Sequence, residues 1–179
     1  LMRNYGQHNA LLAGIRAVRF DTTMTMDDDL QHPPESLSTL LEALTPNLDV
    51  VYATPEREQH GLLRNLSSVI TKLALQSTMG AETARMASAW RVFRTHIRDA
   101  SSAFTGPFVS IDVLLTWGTT RFGAITLRHA PRARGESNYT VTALVRHALN
   151  MMTGFSVLPL QLASLMGFVF TGFGILVLV

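Results

Sequence analysis

Cysteine is absent from the sequence, which excludes disulfides and thiolate metal sites and leaves the cellular compartment open. Charge is scarce as well. Asp, Glu, Lys and Arg make up 16% of the chain against 47% hydrophobic residues, a low charged fraction for a soluble domain. A net charge of +2 offers no field strong enough to argue for nucleic acid, and none is expected as a partner. The six histidines show no HExxH spacing. The GxSxG elbow, the Walker loop and the glycine-rich dinucleotide fingerprint are missing too, which removes the common zinc-protease, serine-hydrolase and P-loop readings. No internal repeat or low-complexity tract is found.

The scarcity of charge is concentrated at one end. From Met151 to Val179 no Asp, Glu, Lys or Arg occurs, a run longer than the roughly 20 residues that cross a bilayer core. Pro159 lies early in it, so the transmembrane helix is expected over 158–179. Residues 140–157 are expected to form an amphipathic juxtamembrane helix, with Arg146 and His147, and an interfacial segment. Basic residues beside the span argue for an integral protein of the cell membrane with its soluble part cytoplasmic. The opening Leu1-Met2-Arg3-Asn4 and the apolar end at Val179 read as cuts, so an internal fragment of a longer protein is expected.

Residues 1–139 read as one α/β domain. Leu11, Leu12, Ile15 and Val18 give helical spacing between Gln7 and Phe20, with Arg16 and Arg19 toward solvent. A short β-branched strand, Thr22-Thr23-Met24-Thr25, follows. Leu37, Leu40, Leu41 and Leu44 mark a helix over 35–44, and Asp49-Val50-Val51-Tyr52-Ala53 a buried strand. A long helical pattern spans 61–79, a short strand is expected at 89–93, a helix from Gly106 through Trp117, and a strand over 122–129. Helix and strand alternating in this way predict a mostly parallel sheet covered by helices, with ligands at the carboxyl ends of the strands.

At such an end lies Met26-Asp27-Asp28-Asp29-Leu30-Gln31-His32-Pro33-Pro34-Glu35. Alternation sends Asp27 and Asp29 to one side and Asp28 to the other. Two carboxylates and the Gln31 amide oxygen suit a hard divalent cation. The same residues also suit an acidic cap on the helix that follows. A second candidate is Arg132-Ala133-Arg134-Gly135-Glu136-Ser137. Its two guanidinium groups beside a glycine form either a phosphate clamp or a solvated loop. Arg57 and Arg64, after a strand end, are a third candidate with the same two readings. His32 can contact a ligand beside the carboxylates. Asn4-Tyr5-Gly6-Gln7-His8-Asn9, at the start of the first helix, either faces a substrate or caps the helix.

Taken together, Arg3-Asn4-Tyr5-Gly6-Gln7-His8, Asp27 to Glu35, Asp49-Val50-Val51-Tyr52, Arg132-x-x-Gly135-Glu136-Ser137-x-Tyr139 and the apolar run resemble membrane-associated family 2 glycosyltransferases that use polyprenyl phosphates. The group includes dolichyl-phosphate mannose synthases, undecaprenyl-phosphate glucosyltransferases and undecaprenyl-phosphate aminoarabinose transferases. The resemblance covers the whole chain in the family's order. It implies a GT-A nucleotide-sugar (Rossmann-like) fold, a Mg²⁺ or Mn²⁺ ion, a nucleotide-sugar donor, and inverting transfer to a polyprenyl-phosphate lipid acceptor. It implies that Asp27 and Asp29 are the outer acidic positions of the DxD motif, with Gln31 a further metal contact. Arg57 and Arg64 fall where the family places phosphate-contacting arginines. Arg132 and Ser137 match the acceptor-phosphate motif, with Arg134 an added contact. A homo-oligomer is compatible with it.

Four positions depart from the family pattern. Asp28 stands where Ala is common, Ala89-Trp90 replaces Gly-Phe, and Asn138 replaces Lys. The first strands, which carry the nucleotide-base contacts, are not in the sequence, so the donor is not specified. A processive family 2 polysaccharide synthase is the alternative enzyme, although the QxxRW-type motif of such synthases is missing. A non-catalytic membrane-bound protein of the same fold is the alternative outside enzymes.

Overall fold

A computed structural model of the chain describes residues 2–29, 31–55, 76, 79–106, 108–128, 150, 154–155 and 158–178. Helix α1 (Gln7–Ala17) turns Leu12 and Ile15 inward, as apolar residues three apart on a helix require. Gly6 starts it at φ +84 and Val18 ends it in extended conformation. Strand β1 (Thr22–Thr25) buries Thr23 and Thr25. A strand that buries hydroxyls must satisfy them. Thr23 Oγ1 shares a 2.7 Å hydrogen bond with Thr95 Oγ1, and Thr25 Oγ1 donates to the Ala89 carbonyl at 3.0 Å.

A 3-10 turn, Pro34–Ser36, leads into α2 (Leu37–Glu42), whose Leu40 is wholly buried. Proline is well placed there, since the first turn of a helix leaves its N–H groups unpaired. Strand β2 (Val50–Pro55) is buried from Val50 through Ala53, the mark of a central strand covered on both faces. Then come α3 (Ala81–Met86), β3 (Arg91–Arg94), a 3-10 stretch Thr95–Ser101, α4 (Ile111–Gly118), β4 (Phe122–Leu127) and α5 (Leu158–Leu178). Alternation along β2 divides the core in two. Val50 and Tyr52 pack with Leu12, Ile15, Phe93 and Leu114 on one face, while Val51 and Ala53 pack with Leu40, Trp90 and Val92 on the other. The sheet is therefore the middle layer between α1 and α4 on one side and α2 on the other.

The strand order is β1-β3-β2-β4. β2 and β4 pair in parallel. β3 runs antiparallel to both of its neighbours, β1 and β2, so among the described strands β1, β2 and β4 share one direction, as a mostly parallel sheet requires, and β3 alone is reversed. Register gives the reason. Arg91, the first residue of β3, lies opposite Thr25, the last residue of β1, and opposite Tyr52 in the middle of β2. A chain that re-enters at the end where the previous strand left has to run back along it. The helix expected from Gly106 begins only at Ile111, because Ser110 is extended. Helix α3 and the 3-10 stretch flank β3 where only the strand at 89–93 was expected. Of the helix expected over 61–79, Gln76 and Met79 are described, and both are helical. The expected basic loop and the juxtamembrane helix as far as residue 149 lie outside the described residues.

The end of the sheet where β2 begins is closed by Asp49. Arg121 contributes Nη2 at 2.5 Å and Nε at 2.8 Å, and Thr119 Oγ1 donates at 2.5 Å. The Arg121 guanidinium holds the Asp49 carboxyl below the usual carboxylate range, against the opposing effect of burial and with help from Thr119. Helix α5 is 21 residues long, about 31 Å at 1.5 Å per residue, which equals the thickness of a bilayer core. Its stretch Leu160–Val177 is not buried against the rest of the chain.

Candidate active site

The acidic loop leaves β1 at the end of the sheet that also holds Tyr52 and Arg91. Asp27 and Asp29 are half-buried there, while Asp28 is exposed. Gln7, the first residue of α1, donates from Nε2 to Asp27 Oδ1 at 2.6 Å. The Asp27 amide donates to His32 Nδ1 at 3.2 Å, and the Gln31 amide donates to Asp29 Oδ1 at 3.2 Å. A carboxylate that accepts an amide two residues on closes a local turn, so Asp29 shapes the loop as well as charging it. His32 is buried and stacks on Trp90 with ring centres 4.7 Å apart and planes 24° apart. The loop is thereby fastened at three points to α1, to the entrance of β3, and to itself.

Beneath it lies a buried ion pair. Arg91 Nη1 donates to Asp112 Oδ1, and the Tyr52 hydroxyl donates to the same oxygen at 3.0 Å. The Arg91 side chain is 2% exposed and that of Asp112 14%. Burial, then the Asp112 charge, push the Tyr52 hydroxyl well above the ordinary tyrosine value, so it acts as a donor at any physiological pH. Asp112 is in the first turn of α4. The residue before it, Ile111, donates its amide to His8 Nδ1 at 3.3 Å. Gln7 and His8, neighbours at the start of α1, therefore connect the acidic loop to the start of α4, and α4 connects to β3 through Asp112 and Arg91. The contacts form a closed ring around the mouth of the sheet.

Asp27, Asp29 and Gln31 lie in one loop, with Gln31 meeting Asp29 through its backbone amide. Arg57, Arg64, Arg132, Arg134 and Ser137 lie outside the described residues. Gln7 and His8 belong to the segment read as facing a substrate or capping α1, whereas Tyr52, Arg91, Trp90 and Asp112 were not singled out as site residues. Two carried a signal: Arg91 and Asp112 are lone charges inside apolar stretches, and buried charges of that kind come in pairs. Among the described residues no three His, Cys, Asp or Glu side chains converge as metal ligands. Two carboxylates and an amide oxygen nevertheless fit a Mg²⁺-type ion, which takes one or two carboxylates and completes its shell with substrate phosphates and water.

An open cleft of about 470 Å³ lies at the other end of the sheet, lined in part by Arg19, Arg94, His96 and Arg98. Two of its arginines already serve the fold. Arg98 Nη1 donates to the Ile15 and Val18 carbonyls, and Arg94 to those of Leu48 and Thr45. The acidic loop remains the candidate site.

Residues 1–103 match Glycosyl transferase family 2. The chain is 33% identical over 174 residues to an undecaprenyl-phosphate 4-deoxy-4-formamido-L-arabinose transferase of Aeromonas hydrophila, covering 97% of this chain and 53% of that protein. It is 33% identical over 180 residues to the transferase of the same name from Yersinia enterocolitica, covering 99% and 55%. The chain thus spans about half the length of these relatives. Among solved structures, glucosyl-3-phosphoglycerate synthase of Mycobacterium tuberculosis superposes with a TM-score of 0.56 at 14% identity, over 84% of this chain and 55% of that one; the likeness is one of fold. Matched to the family over more than half its length, and to named relatives over nearly all of it, the chain belongs to glycosyl transferase family 2.

Proposed function

We propose that the protein of which this chain forms part transfers a sugar from a nucleotide-sugar donor to a polyprenyl phosphate, with undecaprenyl phosphate the acceptor suggested by the relatives' names. The observation that carries this reading is the acidic loop pinned at the mouth of the sheet by Gln7 and by His32 on Trp90. Carboxylates held there before any ligand arrives are preorganised for a cation and a diphosphate. Asp27, Asp29 and Gln31 would hold Mg²⁺ or Mn²⁺, which when bound neutralises charge on the departing nucleoside diphosphate. The acceptor phosphate is anionic at neutral pH and needs little help from a base. Arg132, with Arg134 and Ser137, would hold it in line behind the anomeric carbon, and Arg57 and Arg64 would add positive charge, a positioning role. Attack from that side inverts the anomeric configuration. Helix α5 would cross the bilayer with the catalytic part on the cytoplasmic face, next to an acceptor that cannot leave the membrane.

Asp29→Ala in the full-length protein tests the reading in a membrane assay with undecaprenyl phosphate, a panel of UDP- and GDP-sugars, and Mn²⁺ with or without chelator. Loss of metal-dependent transfer is expected, and unchanged transfer would sink the cation site. Arg132→Ala should raise the requirement for lipid phosphate while leaving donor binding in place. Equal loss of both would count against the clamp.

A further inference from the structure

The segments 100–111 and 113–120 carry no charged side chain, yet they present aromatic surface. Helix α4 turns Val113, Leu114 and Leu115 into the core and leaves Trp117 on its outer side, 51% exposed. The indole is not isolated. Phe104 meets it edge-on with ring centres 5.7 Å apart, and Phe104 in turn stacks on Phe155 at 5.9 Å. Next to that stack, Phe108 is 40% exposed and lies against Gly154, where an added Cβ would stand 3.2 Å from the Phe108 Cβ. Phe155 is also packed against the core beside Val113 and Met79. It precedes Leu158, the first residue of α5, by three positions, a gap that at most about 10 Å of chain can span. Trp117 is therefore two ring contacts and a three-residue step from the apolar helix.

We propose that Trp117, backed by Phe104 and flanked by Phe108, is a bilayer-interface anchor that seats the globular domain on the lipid surface. The inference rests on the reading of α5 as a membrane span. Tryptophan at the headgroup level keeps its ring in a partly apolar layer and its N–H within reach of water and lipid oxygens. The lack of carboxylates in both segments removes repulsion from anionic headgroups. The rigid stack from Trp117 to Phe155 ties the domain's orientation to the helix, so the domain sits on the membrane by one side instead of swinging on a tether.

The test uses full-length protein in phosphatidylcholine–phosphatidylglycerol vesicles whose acyl chains are brominated either near the headgroup or near the bilayer centre. Wild type is compared with Trp117→Phe, so that the difference in emission belongs to Trp117; Trp90 is wholly buried and common to both. Shallow bromines should cut the Trp117 emission roughly twofold and deep bromines should cut it less, as for a ring at the interface. A second protein combines Trp117→Phe with Phe168→Trp and reports on α5 itself. If deep bromines quench that reporter while Trp117 is quenched by neither lipid, the span stands and the anchor is overturned. If neither tryptophan responds, the span reading fails and the anchor falls with it.

Discussion

Two carboxylate–arginine pairs close the two ends of the sheet, and they are built differently. Under the acidic loop, Asp112 and Arg91 are both desolvated, with side-chain exposures of 14% and 2%, and Tyr52 shares the same oxygen. At the far end Asp49 is buried, but its partner Arg121 remains 53% exposed. Desolvating a pair of charges costs so much that the pair adds little over an apolar contact, while losing one partner from it is severe. A pair with one member in water loses little on formation and little on rupture. The site end is consequently the rigid end. Arg91 and Asp112 hold β3 to α4, and that junction carries both Trp90, on which His32 rests, and Ile111, which His8 caps.

The contrast is open to direct attack. Asp112→Ala leaves Arg91 buried without its carboxylate and should destabilise the protein by about 3–5 kcal/mol, read from the midpoint of urea unfolding in detergent. Combining Asp112→Leu with Arg91→Met should recover much of that loss, since an apolar pair replaces the buried ions. If Asp112→Ala unfolds like wild type, the buried pair is not the clamp described. Tyr52→Phe removes one donor from Asp112 and keeps the ring, so a loss of about 0.5–1.5 kcal/mol is expected. A larger loss would mean that the hydroxyl, and not Arg91, is the main partner of that carboxylate.

Arg121→Ala should have the smallest effect of the three, because Thr119 and Arg94 remain beside Asp49 and the lost guanidinium was hydrated. Its pH dependence has a definite sign. Asp49 titrates lower in the folded protein than in the unfolded chain, so the pair adds stability above the unfolded carboxylate pKa and loses it as pH falls through the folded one. Wild type and Arg121→Ala should accordingly differ most near neutrality and converge in acid. A gap that widens on acidification would show that Arg121 acts by some route other than Asp49. Arg121→Ala should also leave transfer kinetics alone, unlike changes at the site end.

The sequence made the local elements and the loop visible, because those depend on near neighbours. The spacing of Leu12 and Ile15 marked α1, the β-branched threonines marked β1, and alternation separated Asp28 from Asp27 and Asp29. What it did not show depends on distance along the chain. Gln7 meets Asp27 across 20 residues, Tyr52 meets Asp112 across 60, and His8 meets Ile111 across 103, and no periodicity reports such contacts. The direction of β3 was hidden for a related reason. Trp90-Arg91-Val92-Phe93 reads as a strand in either sense, and only its register against Thr25 and Tyr52 decides. Helix α4 began later than expected because apolar spacing does not reveal an extended residue such as Ser110.

Gly6 offers one more consequence. It stands at φ +84 and ψ 163 immediately before Gln7, and a Cβ built on it meets nothing within 4 Å. Space is therefore not the constraint at this position; handedness is. That backbone region is closed to L-residues by their own geometry and open to their mirror images. A D-alanine introduced there by chemical ligation should leave the contact between Gln7 and Asp27 intact, whereas L-alanine should swing Gln7 away from the carboxylate. The reach of α1 to the acidic loop depends on the chirality of a single residue that, as glycine, has none.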